Sequence, residues 1–266
     1  MSIYYKENTQ YFERAMRSIW NEQTIRPNEI VLVEDGPLTI ELYQSIVSWK
    51  EELGDFFKTI QIKKNIGLGG ALNVGLKYCS YELVARMDAD DIAAPVRFEN
   101  QLKIFEDDSV DVCGSWAGEF SENENLVIAY RKLPERHKDI VLFAKMRSPI
   151  NHPTVMYKKS AVQNAGGYKN MMWFEDYYLW GRMILSGSEF YNIQESIVSM
   201  RAGYGQLERR SGFKYAIAEF KLRKEFFNIG FISIYNFIFY TPIRFIIRIL
   251  PKVLFLQAYK LLRHGR

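Results

Sequence analysis

Cysteine is scarce. Only Cys79 and Cys113 occur in 266 residues, too few for a disulfide framework or a cysteine-rich zinc site, and they read as reduced thiols of a cytoplasmic protein. Histidine is nearly as rare: His137, His152 and His264 are the whole set, and no Ser–His–Asp arrangement is evident. The N-terminus turns polar within a few residues, so no signal peptide is expected. A net charge of only +4 makes the whole chain no strong polyanion binder, and nucleic acid is not an expected partner. Internal repeats and low-complexity linkers are missing. Acids are missing from one region in particular: none follows Glu225, whereas Arg244, Arg248, Lys252, Lys260, Arg263 and Arg266 do.

What is present suits a folded α/β protein. The chain is 48% hydrophobic and 25% charged, enough apolar material for a sizeable core. "MSIYY" reads as the last half of a strand, so either the first strand is short or the true start lies upstream. Phe12, Met16, Ile19 and Trp20 recur at helical spacing. "EIVLVEDG" is a short apolar strand ending in acid and glycine, Thr39 to Leu53 return to helical spacing, and "FKTIQIK" reads as a strand. "GLGGALNVGLKYC" reads as a helix with a glycine-rich entry, "ELVARMD" as a strand, and "PVRFENQLKIFED" as a helix opened by Pro95. This alternation through about residue 106 predicts a mostly parallel sheet with covering helices. Ligands of such sheets lie beyond the carboxyl ends of the strands, which would gather Tyr4, Glu34, Asp35 and Asp88 at one crevice. From Val110 to Tyr130 the pattern turns β-rich, then mixes until Arg201, and "SGFKYAIAEFKLRKEFF" follows as a basic amphipathic helix.

The stretch "LVARMDADDIAAPVRF" carries the chemistry. An apolar strand ends in Asp88, Asp90 and Asp91. An extended backbone aims residues 88 and 90 the same way, and two carboxylates on one side repel unless a cation lies between them. Mg²⁺ or Mn²⁺ suits oxygen ligands and keeps positions open for substrate phosphates. The alternative is an acidic helix N-terminus, the aspartates complementing the dipole of the helix after Pro95.

Five blocks, "IVLVEDGP", "NIGLGGALNVGL", "MDADDIAAPVRF", "NHPTVMYKKSAVQNAGGY" and "WFEDYYLWGRMILSG", occur in this order. Together they resemble the family-2 glycosyltransferases of GT-A fold over roughly residues 1 to 205. "YYKEN", "IVLVEDGPLT" and "NIGLGGALN" resemble more narrowly the bacterial enzymes of O-antigen, capsule and exopolysaccharide assembly. The resemblance implies a GT-A nucleotide-sugar-binding mixed sheet flanked by helices (1–205), followed by a basic, apolar helical tail (206–266). It implies that Ser2, Tyr4 and Asp35 contact the nucleotide base, with Asp35 favouring uracil, and that Asn65 and Asn73 flank a donor-site turn. Asp88 would face ribose and metal, Asp90 would hold Mn²⁺ or Mg²⁺ at the diphosphate, and Asp91 would cap a helix or support the others. Asp176 would be the general base, with Glu175 beside it positioning acceptor or base. Read alone, "EDYYLWGRM" favours a helix start with solvated acids, and the other blocks reverse that preference.

The departures are informative. Glu34, Asp35, Gly36 and Pro37 stand where the commoner family pattern has two aspartates, glycine and serine. The Gln-x-x-Arg-Trp block of processive enzymes is absent, which favours transfer of a single sugar. A nucleotidyltransferase would carry a glycine-rich, basic phosphate loop near the N-terminus, and none is present. His152 reads as a hydrogen-bonded structural residue or as a metal or acceptor contact. Arg201 reads as a diphosphate contact through forked hydrogen bonds or as a solvated loop charge.

The tail has an apolar body interrupted by Asn236, Pro242, Arg244, Arg248 and Pro251, so it is expected to lie in the membrane plane with snorkelling cations rather than to span. A helical pair packed on the catalytic domain, or a dimer face, is the other reading. The expectation is an inverting, metal-dependent enzyme at the cytoplasmic face of the bacterial inner membrane. It would move one galactose or glucose from a UDP-sugar to a polyprenyl-diphosphate-linked sugar, with N-acetylglucosamine as first acceptor sugar, in β-linkage. The non-enzymatic alternative is a nucleotide-sugar-binding scaffold of a polysaccharide assembly complex.

Overall fold

The computed structural model describes residues 1–202 and 210–250. Its first part is β1 (Ser2–Ile3), α1 (Thr9–Trp20), β2 (Ile30–Asp35), α2 (Ile40–Leu53), β3 (Phe57–Ile62) and α3 (Leu68–Tyr78), with the strands parallel in the order β1-β2-β3. The second part runs β4 (Leu83–Ala85), β5 (Ile92–Ala93), α4 (Arg97–Ile104), β6 (Val110–Phe120), β7 (Ala129–Arg131), α5 (His137–Ala144), β8 (Met156–Lys158), α6 (Lys159–Asn164), α7 (Glu175–Leu185) and β9 (Glu189–Arg201). Its sheet is mixed, in the order β4-β8-β6-β9-β5 with β7 on β6. The long β6 and β9 run parallel and every other pair is antiparallel. The alternating pattern of the first hundred residues thus describes only the first sheet.

Local chemistry sets these elements. Asn8 caps α1 by accepting the amides of Gln10 and Tyr11, and Thr39 caps α2 by accepting that of Leu42. Phe12, Met16 and Ile19 then turn one face of α1 into the core. Strand β2 is paired on both edges and buried at every position, which is why it reads as a continuous apolar run. Gly36 takes φ +90° directly after it, and a Cβ there would lie 2.9 Å from the Asn65 backbone nitrogen, so the chain can turn beside residue 65 only without a side chain.

The segment from Asp88 to Asp91 is not extended. Strand β4 stops at Ala85, a turn holds Ala89 and Asp90, and β5 resumes at Ile92. Helix α4 is capped by Val96 without a side-chain bond, Pro95 lies just before that cap, and Glu99 is the acid of the first turn. The aspartates therefore do not cap this helix.

Helix α8 (Phe213–Asn228) packs into one apolar cluster with Ala144, Phe174, Tyr177 and Tyr178. Its contact with α7 is close: a Cβ on Gly181 would fall 2.4 Å from Phe226 Cε1. A π-helical turn (Asn236–Tyr240) leads into α9 (Thr241–Ile249). Two basic residues of the tail face the protein. Arg244 and Arg248 both pair with Glu219, which is 5% exposed on α8. Burial pushes the Glu219 carboxyl up, yet the two guanidiniums outweigh it and hold it below its ordinary value. An acid thus balances these two cations, contrary to the expectation that none does. The outward stripe is instead apolar: Tyr235, Phe239, Ile243, Ile246 and Ile249 are exposed at three- and four-residue spacing. Among the described residues no helix is long and apolar enough to cross a membrane. The boundary expected at 205/206, and Lys252 onward, lie outside the described residues.

Candidate active site

The ends of β1 and β2 lie side by side, Ser2 opposite Val33 and Ile3 opposite Glu34. Tyr4 follows, 37% exposed, and its carbonyl accepts the Glu7 amide. Asp35, 4% exposed, ends β2 with both oxygens engaged: Oδ1 accepts from the Ile66 amide at 2.7 Å and Oδ2 from the Gly67 amide at 3.0 Å. Asn65 returns its amide to the Asp35 carbonyl at 3.1 Å. Asp35 therefore holds the glycine-rich turn in place. A carboxylate offers about four lone-pair sites, so the two turn amides leave it acceptor capacity. Glu34 is 2% exposed, burial raises its pKa, and its Oε2 meets no hydrogen-bond partner among the described residues.

The next wall is the acidic turn. Carboxylate oxygens of Asp88, Asp90 and Asp91 lie within 4.8 Å of one another. Arg86, 3% exposed, grips both oxygens of Asp88, with Nη1 2.6 Å from Oδ2. Arg97 lies below with no exposed surface and donates to the Arg86 carbonyl at 2.6 Å. Burial, then the Arg86 charge, bring its pKa down to about 9. Among the described residues the other carboxylates have no guanidinium on both oxygens. Burial and then the Asp88 charge raise Asp90, and burial followed by Asp88 and Asp90 raises Asp91 well above the usual value. Glu7 joins them: burial, then Asp90 and Asp88, push it up to about 7. This carboxylate was missed in the sequence, although "YYKEN" places it just past the end of β1. Four carboxylates crowd one turn, and only Asp88 has both oxygens gripped by a guanidinium among the described residues, which leaves hard oxygen donors of Asp90 and Asp91 beside it. That donor set fits a divalent cation, as Asp88 and Asp90 were expected to provide.

Arg201 braces the turn. Its amide donates to Asp91 Oδ1 at 2.8 Å, its Nε to the Asp90 carbonyl at 3.2 Å and its Nη1 to the Ser121 carbonyl at 3.1 Å, while its guanidinium lies 3.7 Å from the Tyr11 ring centroid. It is not a solvated loop charge. Asp91 likewise anchors the end of β9.

The third wall is the start of α7. Glu175 and Asp176 form its first turn after Phe174, which caps it without a side-chain bond. Asp176 poses a contest between burial, which raises a carboxyl pKa, and the helix N-terminus, which lowers it. Burial wins: Asp176 is raised against the Tyr177 amide and the Arg86 charge. Glu175 is raised chiefly by burial too. The Glu175 side chain packs on α3, since a Cβ on Gly69 would meet its Cγ at 3.2 Å. This contact joins the glycine-rich turn to the acidic pair, and Arg86 electrostatically links Asp88 to Asp176.

Two polar residues work on the protein itself. Asn73 binds both the amide and the carbonyl of Tyr168, at 2.8 and 2.7 Å, tying α3 to the loop before α7. His152 Nε2 lies 3.0 Å from the Tyr168 hydroxyl and its ring packs edge-on to Trp180. Burial, then Arg86, hold its pKa well below the ordinary value. It is a neutral structural histidine.

An acidic turn at the end of β4, linked through Arg86 to a second acidic pair on a helix start, points to nucleotide-sugar chemistry, and residues 2–164 match the profile of glycosyl transferase family 2. The chain belongs to that family. This family-2 glycosyltransferase is 38% identical over 252 residues (94% of this chain, 90% of the relative) to the UDP-Gal:alpha-D-GlcNAc-diphosphoundecaprenol beta-1,3-galactosyltransferase of Escherichia coli. It is 36% identical to the amylovoran biosynthesis glycosyltransferase AmsE of Erwinia amylovora, over 84% of this chain and 82% of the relative. Its fold is that of GT-A glycosyltransferases. S. aureus TarS 1-349 in complex with UDP-GlcNAc superimposes with a TM-score of 0.64 at 18% identity, over 85% of this chain and 66% of that one. The mannosyltransferase PcManGT from Pyrobaculum calidifontis, in complex with GDP-Man and Mn²⁺, gives 0.62 at 16% identity, over 85% of this chain and 64% of that one.

Proposed function

We propose that this glycosyltransferase moves a single hexose, galactose or glucose, from a UDP-sugar to the N-acetylglucosamine of a polyprenyl-diphosphate-linked acceptor, with inversion to a β-linkage. The observation that carries this reading is the joining, through Arg86 and the Glu175–Gly69 contact, of an acidic turn to a helix start whose aspartate is raised by burial. The extended similarity to a galactosyltransferase of lipid-linked GlcNAc supports the substrate class.

In this reading Ser2, Tyr4 and Asp35 hold the uracil, and Asn65 shapes the turn over the donor. Asp90 and Asp88 hold Mn²⁺ or Mg²⁺, and the bound cation supplies charge neutralisation at the diphosphate. Arg86 binds both oxygens of Asp88 and so aims that carboxylate. Asp176 takes the proton of the acceptor hydroxyl as it attacks the anomeric carbon. Attack opposite to the departing UDP turns an α-linked donor into a β-linked product, and Glu175 positions the base and acceptor. The exposed apolar stripe from Tyr235 to Ile249 lies against the cytoplasmic leaflet of the inner membrane, where a lipid-linked acceptor resides.

A screen of UDP-sugars against a synthetic lipid-diphosphate GlcNAc acceptor, followed by linkage analysis, tests the reading. We expect UDP release that depends on acceptor and a β-linked hexosyl product. UDP-sugar binding without acceptor-dependent release would overturn it in favour of a binding scaffold.

A further inference from the structure

Trp173 is the only residue other than glycine with positive φ among those described, at φ 67°. A bulky side chain is disfavoured in the left-handed region and persists there only where its surroundings over-determine it. Those surroundings are visible. Phe174, the next residue, has its amide held by the Met171 carbonyl at 2.7 Å. One face of the Trp173 indole stacks on Tyr215, at 5.4 Å between centroids and 26° between planes. Tyr215 is buried, packs against Phe174 at 5.0 Å, and lies 4.8 Å from the Arg248 guanidinium, which Glu219 holds. The indole is nevertheless 47% exposed. The backbone thus carries strain to present one aromatic face, rigidly backed, three residues before Asp176.

We infer that the open face of Trp173 is the platform for the acceptor sugar, and this inference rests on the function proposed above. A pyranose has an apolar C–H face that packs on an aromatic ring, while its hydroxyls project from the rim. Stacked on Trp173, the acceptor ring presents a rim hydroxyl to Asp176. Aromatic packing also joins α8 to the tail. Phe213, two residues before Tyr215, is exposed and meets Phe245 of α9 edge-on at 6.0 Å. Through Arg248, the same Tyr215 that backs Trp173 also meets α9, the helix that carries the apolar stripe, and that arrangement suits an acceptor with a sugar head and a lipid tail. Trp173 is a positioning and specificity residue, since it moves no proton.

The test uses the full chain with a lipid-diphosphate GlcNAc acceptor and compares Trp173→Gly with Trp173→Phe. Glycine accepts φ 67° without strain, so Trp173→Gly is expected to keep the melting temperature. Its acceptor KM is expected to rise about tenfold, the order of one lost aromatic contact, with the UDP-sugar KM within about twofold. Trp173→Phe should restore most of the acceptor affinity. A wild-type acceptor KM in Trp173→Gly would overturn the inference, as would equal rises for donor and acceptor, which would make the loop merely structural. Wild-type enzyme that transfers to no lipid-linked sugar would remove the proposed function, and this inference with it.

Discussion

Asp176 is a carboxylate whose surroundings suit it to proton abstraction. Burial raises its pKa even though it lies on the first turn of a helix. A base acts in its ionised form, so activity falls as pH drops through the raised pKa. The acid limb of kcat/KM should therefore lie above the ordinary aspartate range. Asp176→Asn keeps the shape but accepts no proton. Its expected kcat is reduced about 10²-fold or more with UDP-sugar KM near normal, measured by steady-state kinetics with a lipid-linked acceptor. Glu175→Gln should be milder; a greater loss in Glu175→Gln than in Asp176→Asn would move the base one residue back. The acidic turn has a thermodynamic signature of its own. Glu7 is raised from 4.5 to about 7, so the folded state binds its proton more tightly than the unfolded chain does. Its contribution to stability is full below pH 4.5 and is lost as pH rises through about 7. Melting temperatures taken across that window should fall for the wild type and fall less for Glu7→Gln. At pH 8, Mn²⁺ should raise the melting temperature by binding the native state, and Asp90→Ala should abolish the rise.

Among the elements, α7 is the one on which the site depends most, because it carries the acidic pair at one end and packs through its body on α8. Gly181 allows that approach. Placing a Cβ 2.4 Å from the Phe226 ring should cost about 1–3 kcal/mol as overpacking. Gly181→Ala is expected to lower the melting temperature, and adding Phe226→Leu should recover part of the loss; an unchanged melting temperature in the single variant would show that α8 shifts freely. The same element shows how far the sequence could be read. Its acids and helical spacing were visible in "FEDYYLW", and the role of Asp176 came from a block resemblance. The strained Trp173 carried no signal, since a tryptophan before a phenylalanine looks like ordinary core and a positive φ cannot be seen in residue types. The resemblance alone implied that Asn73 flanks a donor-site turn, and its hydrogen bonds to Tyr168, 95 positions away, carry no signal in the residue order.

At the scale of the whole molecule, the described part of the tail, residues 231–250, packs on α8 with two of its cations turned inward. A cation-rich apolar stretch without acids suggested lysines and arginines reaching for lipid headgroups. In the fold, Arg244 and Arg248 turn inward to Glu219 and the isoleucines and aromatics turn outward. Liposome sedimentation separates the two arrangements. Replacing Tyr235, Phe239, Ile243 and Ile246 by serine should release the protein from acidic liposomes while leaving it folded. Arg244→Gln with Arg248→Gln should instead lower thermal stability, because it leaves a buried Glu219 without its partners.

The sequence by itself determined the strand–helix alternation of the first hundred residues, the acidic run 88–91, the acidic pair 175–176 and the family to which these blocks belong. Periodicity, turn chemistry and clustered like charges are local properties, and residue order displays them directly. Tertiary structure alone decided three things. It built the acidic site from a turn rather than an extended strand, and added Glu7 from the far end of β1. It placed Arg86 between Asp88 and Asp176, and resolved the pKa of Asp176 in favour of burial over the helix dipole. It paired the tail's cations with an acid on α8. Each depends on which distant groups share a low-dielectric space, and that is set by packing rather than by neighbourhood along the chain.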